Sequence, residues 1–175
     1  MKENRRAVMS RRMIKTTLAE LLMENELSHV TVTNLCSMAD INRSTFYSHY
    51  LDIYDVMEDM EEEFVQKVSF ILGGGTSRVM LNQMRDLVSY IDKHRQLYLA
   101  LAKRGDIVEK CIEKLVKDHK EAASSENGAK HTAIIRYAVC GVNSIMEKWA
   151  SEELELPYQE LAILLYQLVN GAMKQ

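Results

Sequence analysis

The seven residues from Arg43 to His49 put a guanidinium, three hydroxyls, a phenol and an imidazole on one short stretch of chain, with Phe46 the lone apolar member. That set suits recognition rather than bond making. Phosphates ask for donors, and base edges ask for donors and acceptors held in fixed directions, which Arg43, Ser44, Thr45, Tyr47, Ser48 and His49 supply between them. Catalytic patterns are missing. His29, His49, His94, His119 and His131 fall at no metal-ligand spacing, and there is no Gly-rich phosphate loop and no GxSxG elbow, so neither a metal nor a cofactor is expected. Cys36, Cys111 and Cys140 lie far apart without a CxxC pair and read as reduced core thiols.

Two short helices and a turn must position this set. Thr31 is placed to cap the first, its hydroxyl accepting one of the orphan backbone N–H groups, with Asn34 three residues on as a weak echo of a capping box. Leu35, Met38 and Ala39 then fall at helical spacing and predict one buried face. Asp40-Ile41-Asn42 makes the turn, because Asp visits the left-handed backbone region at modest cost, and Ile41 is the apolar plug. In the second helix Phe46 and Tyr50 lie four apart and pack inward, leaving the polar side chains outside. An ordinary helical hairpin on a bundle surface is the competing reading of the same residues.

The stretch Asp40-Ile-Asn-Arg-Ser-Thr-Phe-Tyr-Ser-His-Tyr50 resembles the recognition-helix signature of the tetracycline-repressor (TetR) family of transcriptional regulators, and Thr31-Val-Thr-Asn-Leu-Cys-Ser-Met-Ala39 resembles that family's first motif helix. The resemblance runs from about residue 9 to 60; beyond residue 70 it is one of length and helical layout, with a weaker likeness around Trp149. It implies that Thr45, Tyr47 and His49 hold phosphates, that Arg43, Ser44 and Ser48 sit nearest the bases, and that Thr33 approaches from the preceding helix. One position departs from the pattern. Where the family often has a phosphate-gripping Lys, this chain has Ile53, which shifts the expected burden to the N-terminal arm.

Composition fits a compact helical chain. The 175 residues are 47% hydrophobic and 27% charged, enough to bury a core, and seven Gly and one Pro leave few helix breakers. Net charge is only −3, but its distribution is uneven: residues 1 to 16 hold six basic residues against Glu3 alone, whereas residues 51 to 63 hold seven acidic residues and no basic one. The basic arm reads either as a phosphate or minor-groove contact or as a solvated tail. The acidic run is most simply a solvated helix face, with Asp52 and Asp55 well placed near a helix N-terminus.

Periodicity predicts an all-α chain: an N-terminal three-helix helix-turn-helix domain over residues 1–51, a linker helix and glycine break over 52–75, and a larger helical domain over 76–175, which the family resemblance implies is a ligand-binding and dimerisation domain. Gly73-Gly74-Gly75 marks the boundary, because three glycines cost too much backbone entropy to stay helical. Helices are expected over about 5 to 25, Asp52 to Leu72, a segment ending near Lys93, a short one to Arg104, Ile107 to about Ala122, and 130 to 150 and 158 to 173, with Ser124–Gly128 a loop. The last two are apolar over more than one stripe, including Ile134, Ile135 and Val139 on one and Ile163, Leu164 and Leu168 on the other. Covering by a second copy predicts a homodimer through a four-helix bundle; deep burial within one chain is the alternative. A dimer would set two recognition helices about one DNA turn, roughly 34 to 36 Å, apart on a near-palindromic operator.

The family resemblance further implies an unknown small-molecule effector enclosed by helices from 76 to 150. Met80, Met84, Tyr90, Tyr98, Tyr137 and Trp149 are the candidate pocket residues, since Met and aromatics adapt to apolar ligands, although such residues at helical spacing are also plain core. No apolar run approaches a transmembrane span and no signal-peptide core opens the chain, so a cytoplasmic protein is expected. Two other function classes stay open. One is a bundle enzyme or carrier using the carboxylates of the fourth helix. The other, favoured by Ile53, is a regulator of the same fold that acts through a protein partner, as coactivator or adaptor, with weak or lost DNA binding.

Overall fold

The computed structural model describes residues 5–73, 77–103, 105–118 and 128–173, which form nine α-helices and one 3-10 turn and contain no strand. Contacts divide the chain between Glu63 and Phe64, inside a continuous helix. The first unit holds α1 (Arg5–Glu24), the 3-10 turn Leu27–His29, α2 (Val32–Met38), α3 (Arg43–Tyr47) and the opening turns of α4 (Ile53–Leu72). The second holds the rest of α4, α5 (Ser77–Lys93), α6 (Arg95–Ala102), α7 (Ile107–Asp118), α8 (Gly128–Ala150) and α9 (Tyr158–Met173).

In the first unit α1 buries Ile14, Leu18, Leu21 and Leu22 at the expected helical spacing, and α2 and α3 pack against it. Phe46 from α3 and Val56 from α4 are fully buried in the same core. Complete burial of side chains of this size is worth about 1.5–3 kcal/mol each, which is what fixes such short helices in place. The start of α4 is tied reciprocally: Asp52 Oδ1 accepts from the Asp55 N–H at 2.9 Å, and Asp55 Oδ2 accepts from the Leu51 N–H at 2.8 Å.

In the second unit α5 packs on α9, and α8 packs on both α7 and α9. Gly105, at φ +81°, closes the stretch between α6 and α7 in the left-handed region, and Pro157 directly precedes α9, accepting from the Leu161 N–H at 3.0 Å. Parts of the sequence expectations fall outside the described residues: the arm over 1–4, the break at Gly73-Gly74-Gly75 beyond Gly73, and the Ser124–Gly128 loop up to residue 127 together with the expected end of α7 at Ala122; Gly128 itself, expected in that loop, opens α8. Cys36 and Cys111 are buried as expected, but Cys140 is exposed. It follows Tyr137, itself 70% exposed, by three residues, and so shares the outward face of α8.

Candidate nucleic-acid interface

The motif is built as α2, a turn and α3. Thr31 caps α2, its Oγ accepting from the Asn34 N–H at 3.1 Å. At the other end Asp40 adopts φ +51°, and the Ile41 N–H reaches back to the Cys36 carbonyl at 3.0 Å, a Schellman closure with Asp in the position Gly usually takes. Met38 departs from expectation: it is 54% exposed while Leu35, Cys36 and Ala39 are buried. The helix is turned so that its inward direction lies between Leu35 and Cys36, which carries Met38 out to the flank.

Helix α3 is short. Asn42 takes the extended N-cap conformation without a side-chain cap bond, five residues are helical, and the chain tightens into a turn in which the His49 and Tyr50 N–H groups both donate to the Phe46 carbonyl. Phe46 and Tyr50 are buried, as their spacing required. Thr33, Arg43, Ser44, Tyr47 and Ser48 are exposed, and Thr45 and His49 are half-buried, so all seven sequence-predicted contact residues reach the surface of one unit. The Arg43 guanidinium lies 5.9 Å from the Tyr47 ring centroid, and a hydrogen bond between them holds the Arg43 pKa above its ordinary value. Ser48 Oγ donates to the Thr45 carbonyl at 2.7 Å.

Behind this surface sits a polar brace that periodicity did not reveal. Tyr50 Oη donates to Asp59 Oδ2 at 2.6 Å, and Lys15 Nζ pairs with that same oxygen at 2.7 Å and with Glu63 Oε1 at 2.6 Å. Burial alone would raise the Asp59 carboxyl, but the bonds from Lys15 and Tyr50 outweigh it and hold the group below its ordinary value. Burial, reinforced by the bond to Asp59, pushes the Tyr50 phenol well above its ordinary value. Lys15 is one of the six basic residues of the arm, but its ammonium faces two carboxylates, which removes it from the charge on offer to a polyanion. Ile53 is 4% exposed and belongs to the core, while neighbouring Leu51 and Tyr54 are 83% and 57% exposed. The surface after α3 therefore offers apolar side chains where a basic grip was sought.

The second unit contains a cavity of about 190 Å³. Met80, Met84 and Tyr98 line it. Tyr137 and Trp149 do not, and neither does Tyr90. The α8 residues on the cavity follow the 3–4 spacing of His131, Ile135, Ala138, Val142 and Met146, which turns Tyr137 outward. Trp149 lies near the end of α8, its Nε1–H donating to the Leu156 carbonyl at 2.9 Å and the Arg95 guanidinium 4.4 Å above its ring. Tyr90 rests between Phe64 and His94, with centroids at 5.8 and 4.9 Å. Tyr98 Oη bonds to Asn143 Oδ1 at 2.9 Å.

This architecture is shared with proteins of known structure. A tetR-family transcriptional regulator from Streptomyces coelicolor superposes with a TM-score of 0.71 at 16% identity, over 94% of this chain and 80% of that one. The chain has the TetR-regulator fold. The fatty acid degradation regulator FadR of Bacillus halodurans covers it completely in both directions at a TM-score of 0.64 and 12% identity. The dihydroxyacetone kinase operon activator DhaS matches 95% of this chain and 97% of its own at 0.62 and 15% identity. In sequence, 99 residues are 25% identical to YxbF, an HTH-type transcriptional regulator of Bacillus subtilis; the match takes in 53% of this chain and 26% of that protein. No family model matches. Among the described residues no helix is long and apolar enough to cross a membrane, and no group of His, Cys, Asp and Glu is arranged to hold a metal ion.

Proposed function

We propose that this protein is a sequence-specific DNA-binding transcriptional regulator that works as a homodimer, reads a near-palindromic operator with residues 1–51, and carries an effector site in the helical unit beyond the linker of 52–75. The observation that carries the reading is the exposed set Arg43, Ser44, Tyr47 and Ser48 on a helix anchored from behind by Phe46 and Tyr50. Arg43, Ser44 and Ser48 read base edges, Thr45, Tyr47 and His49 fix the register on phosphates, and Thr33 approaches the duplex from α2. Arg5 and Arg12, exposed on α1, add positive charge to the same unit. Helix α4 belongs to both activities, since it gives Asp59 to the brace on Tyr50 and Phe64, Val68 and Leu72 to the cavity wall. An effector that favours one disposition of α4 would shift the population of DNA-competent dimers. Titration of a labelled duplex pool with salt tests the proposal. Counterion release predicts a linear fall of log affinity with log salt, with a slope of several units.

A second reading is favoured by Leu51 and Tyr54, exposed where a basic grip is otherwise expected. In it the chain keeps the fold but regulates through a protein partner that covers this apolar edge. Absence of duplex binding even at low salt would favour that version.

A further inference from the structure

The cavity of the second unit has a wall whose chemistry restricts its occupant. Its apolar side chains come from α4, α5, α7, α8 and α9, among them Phe64, Met84, Ile107, Ile135, Met146 and Val169. The polar members are Gln83, Tyr98, His131 and Asn143, and among the described residues the wall contains no Asp, Glu, Lys or Arg. Tyr98 Oη and Asn143 Oδ1 already satisfy one another at 2.9 Å. Burial pushes the Cys111 thiol up to about 12 and raises the Tyr98 phenol, so both stay neutral at physiological pH. In another protein, an apolar cavity of roughly 150 Å³ stays dry and takes up benzene. The space here, about 190 Å³, is of the same order.

We propose that this cavity binds a compact, uncharged, largely apolar molecule of one or two rings or a short hydrocarbon chain, and that it discriminates against carboxylate and ammonium forms of the same skeleton. The inference rests on the reading of the second unit as an effector site and names the class of effector. The physical reason is desolvation. A charge carried into an apolar wall loses its hydration and finds no opposite charge to replace it, whereas a neutral hydroxyl needs a single hydrogen-bond partner, which amide and imidazole groups can supply. Length matters as well. A long amphiphile could leave its charged head at the mouth and evade the selection, so rigid probes whose charge lies next to the ring are the informative ones.

The test uses the full chain and three probes of one shape: naphthalenemethanol, naphthoate and naphthylmethylammonium, followed by their own fluorescence. Titrations are run at about pH 8 and repeated on His131→Gln, which removes the imidazole from the wall. The expected result is that the alcohol binds at least tenfold more tightly than either ion, in the native chain and in the variant. Naphthoate or naphthylmethylammonium binding as tightly as the alcohol would overturn the inference about charge while leaving an effector site in place. No binding by any of the three would overturn both the inference and the effector reading; duplex binding, measured separately, is independent of either result. Ala138→Phe, which projects a ring into the same space, is expected to abolish alcohol binding; retained binding places the probe elsewhere and overturns the assignment. Because the ranking of the three probes is read on the native chain, it stands even if Ala138→Phe folds poorly.

Discussion

Arg43 and Tyr47 lie side by side, and the different targets proposed for them make them separable. Arg43→Ala is expected to weaken operator binding and to relax base preference at one position, by about 1–3 kcal/mol of discrimination, whereas Tyr47→Ala or His49→Ala should weaken binding to all duplexes alike. Equal losses on every sequence for Arg43→Ala would show that it grips only phosphate. Measured affinities for a panel of single-base operator variants decide between these. Behind them, Tyr50→Phe removes the bond to Asp59 and should cost about 1 kcal/mol of stability in denaturant titration. The Asp59 carboxyl lies below its ordinary value in the folded chain, so its contribution is full above the usual carboxylate range and is lost as pH falls through the folded value. Asp59→Asn is therefore expected to flatten the acid limb of the stability curve below the usual carboxylate range, by no more than about 1 kcal/mol given its 35% side-chain exposure.

At the scale of the element, the local rules were readable in the sequence where they were local. Thr31, Asp40 and the start of α9 after Pro157 act through neighbours within five residues, and the inward pair Phe46 and Tyr50 follows from their four-residue spacing; each stands where propensity and spacing put it. What was not legible depends on partners distant in sequence. Met38 faces out because α2 turns toward α1, and Lys15 leaves the basic arm because Asp59 and Glu63 arrive from α4. Residue type alone points Tyr137 and Trp149 to a pocket, whereas the rotation of α8 and the bond from Trp149 to Leu156 keep them off the cavity wall. Two substitutions probe the motif at this scale. Thr31→Ala should cost about 1 kcal/mol through the lost cap. Asp40→Val should cost at least a further 1–2 kcal/mol, because a β-branched residue at φ +51° is strained, and Asp40→Gly should be tolerated. Thermal unfolding monitored by circular dichroism checks both.

At the scale of the whole molecule, composition foretold an all-helical chain, and the apolar excess of α8 and α9 survives folding in part: Tyr137, Ile163 and Leu168 remain 70%, 41% and 49% exposed. In the proposed homodimer a second copy would cover these side chains. Leu168→Glu is then expected to shift the particle seen by light scattering from about twice the 20.1 kDa chain mass toward one, and to weaken operator binding with it. The central claim is that α3 reads DNA in two copies. Selection of genomic fragments by the purified protein tests it most directly: the account predicts enrichment of a shared inverted repeat with half-sites about one helical turn apart. Enriched fragments sharing no motif, with no duplex binding even at low salt, would contradict it.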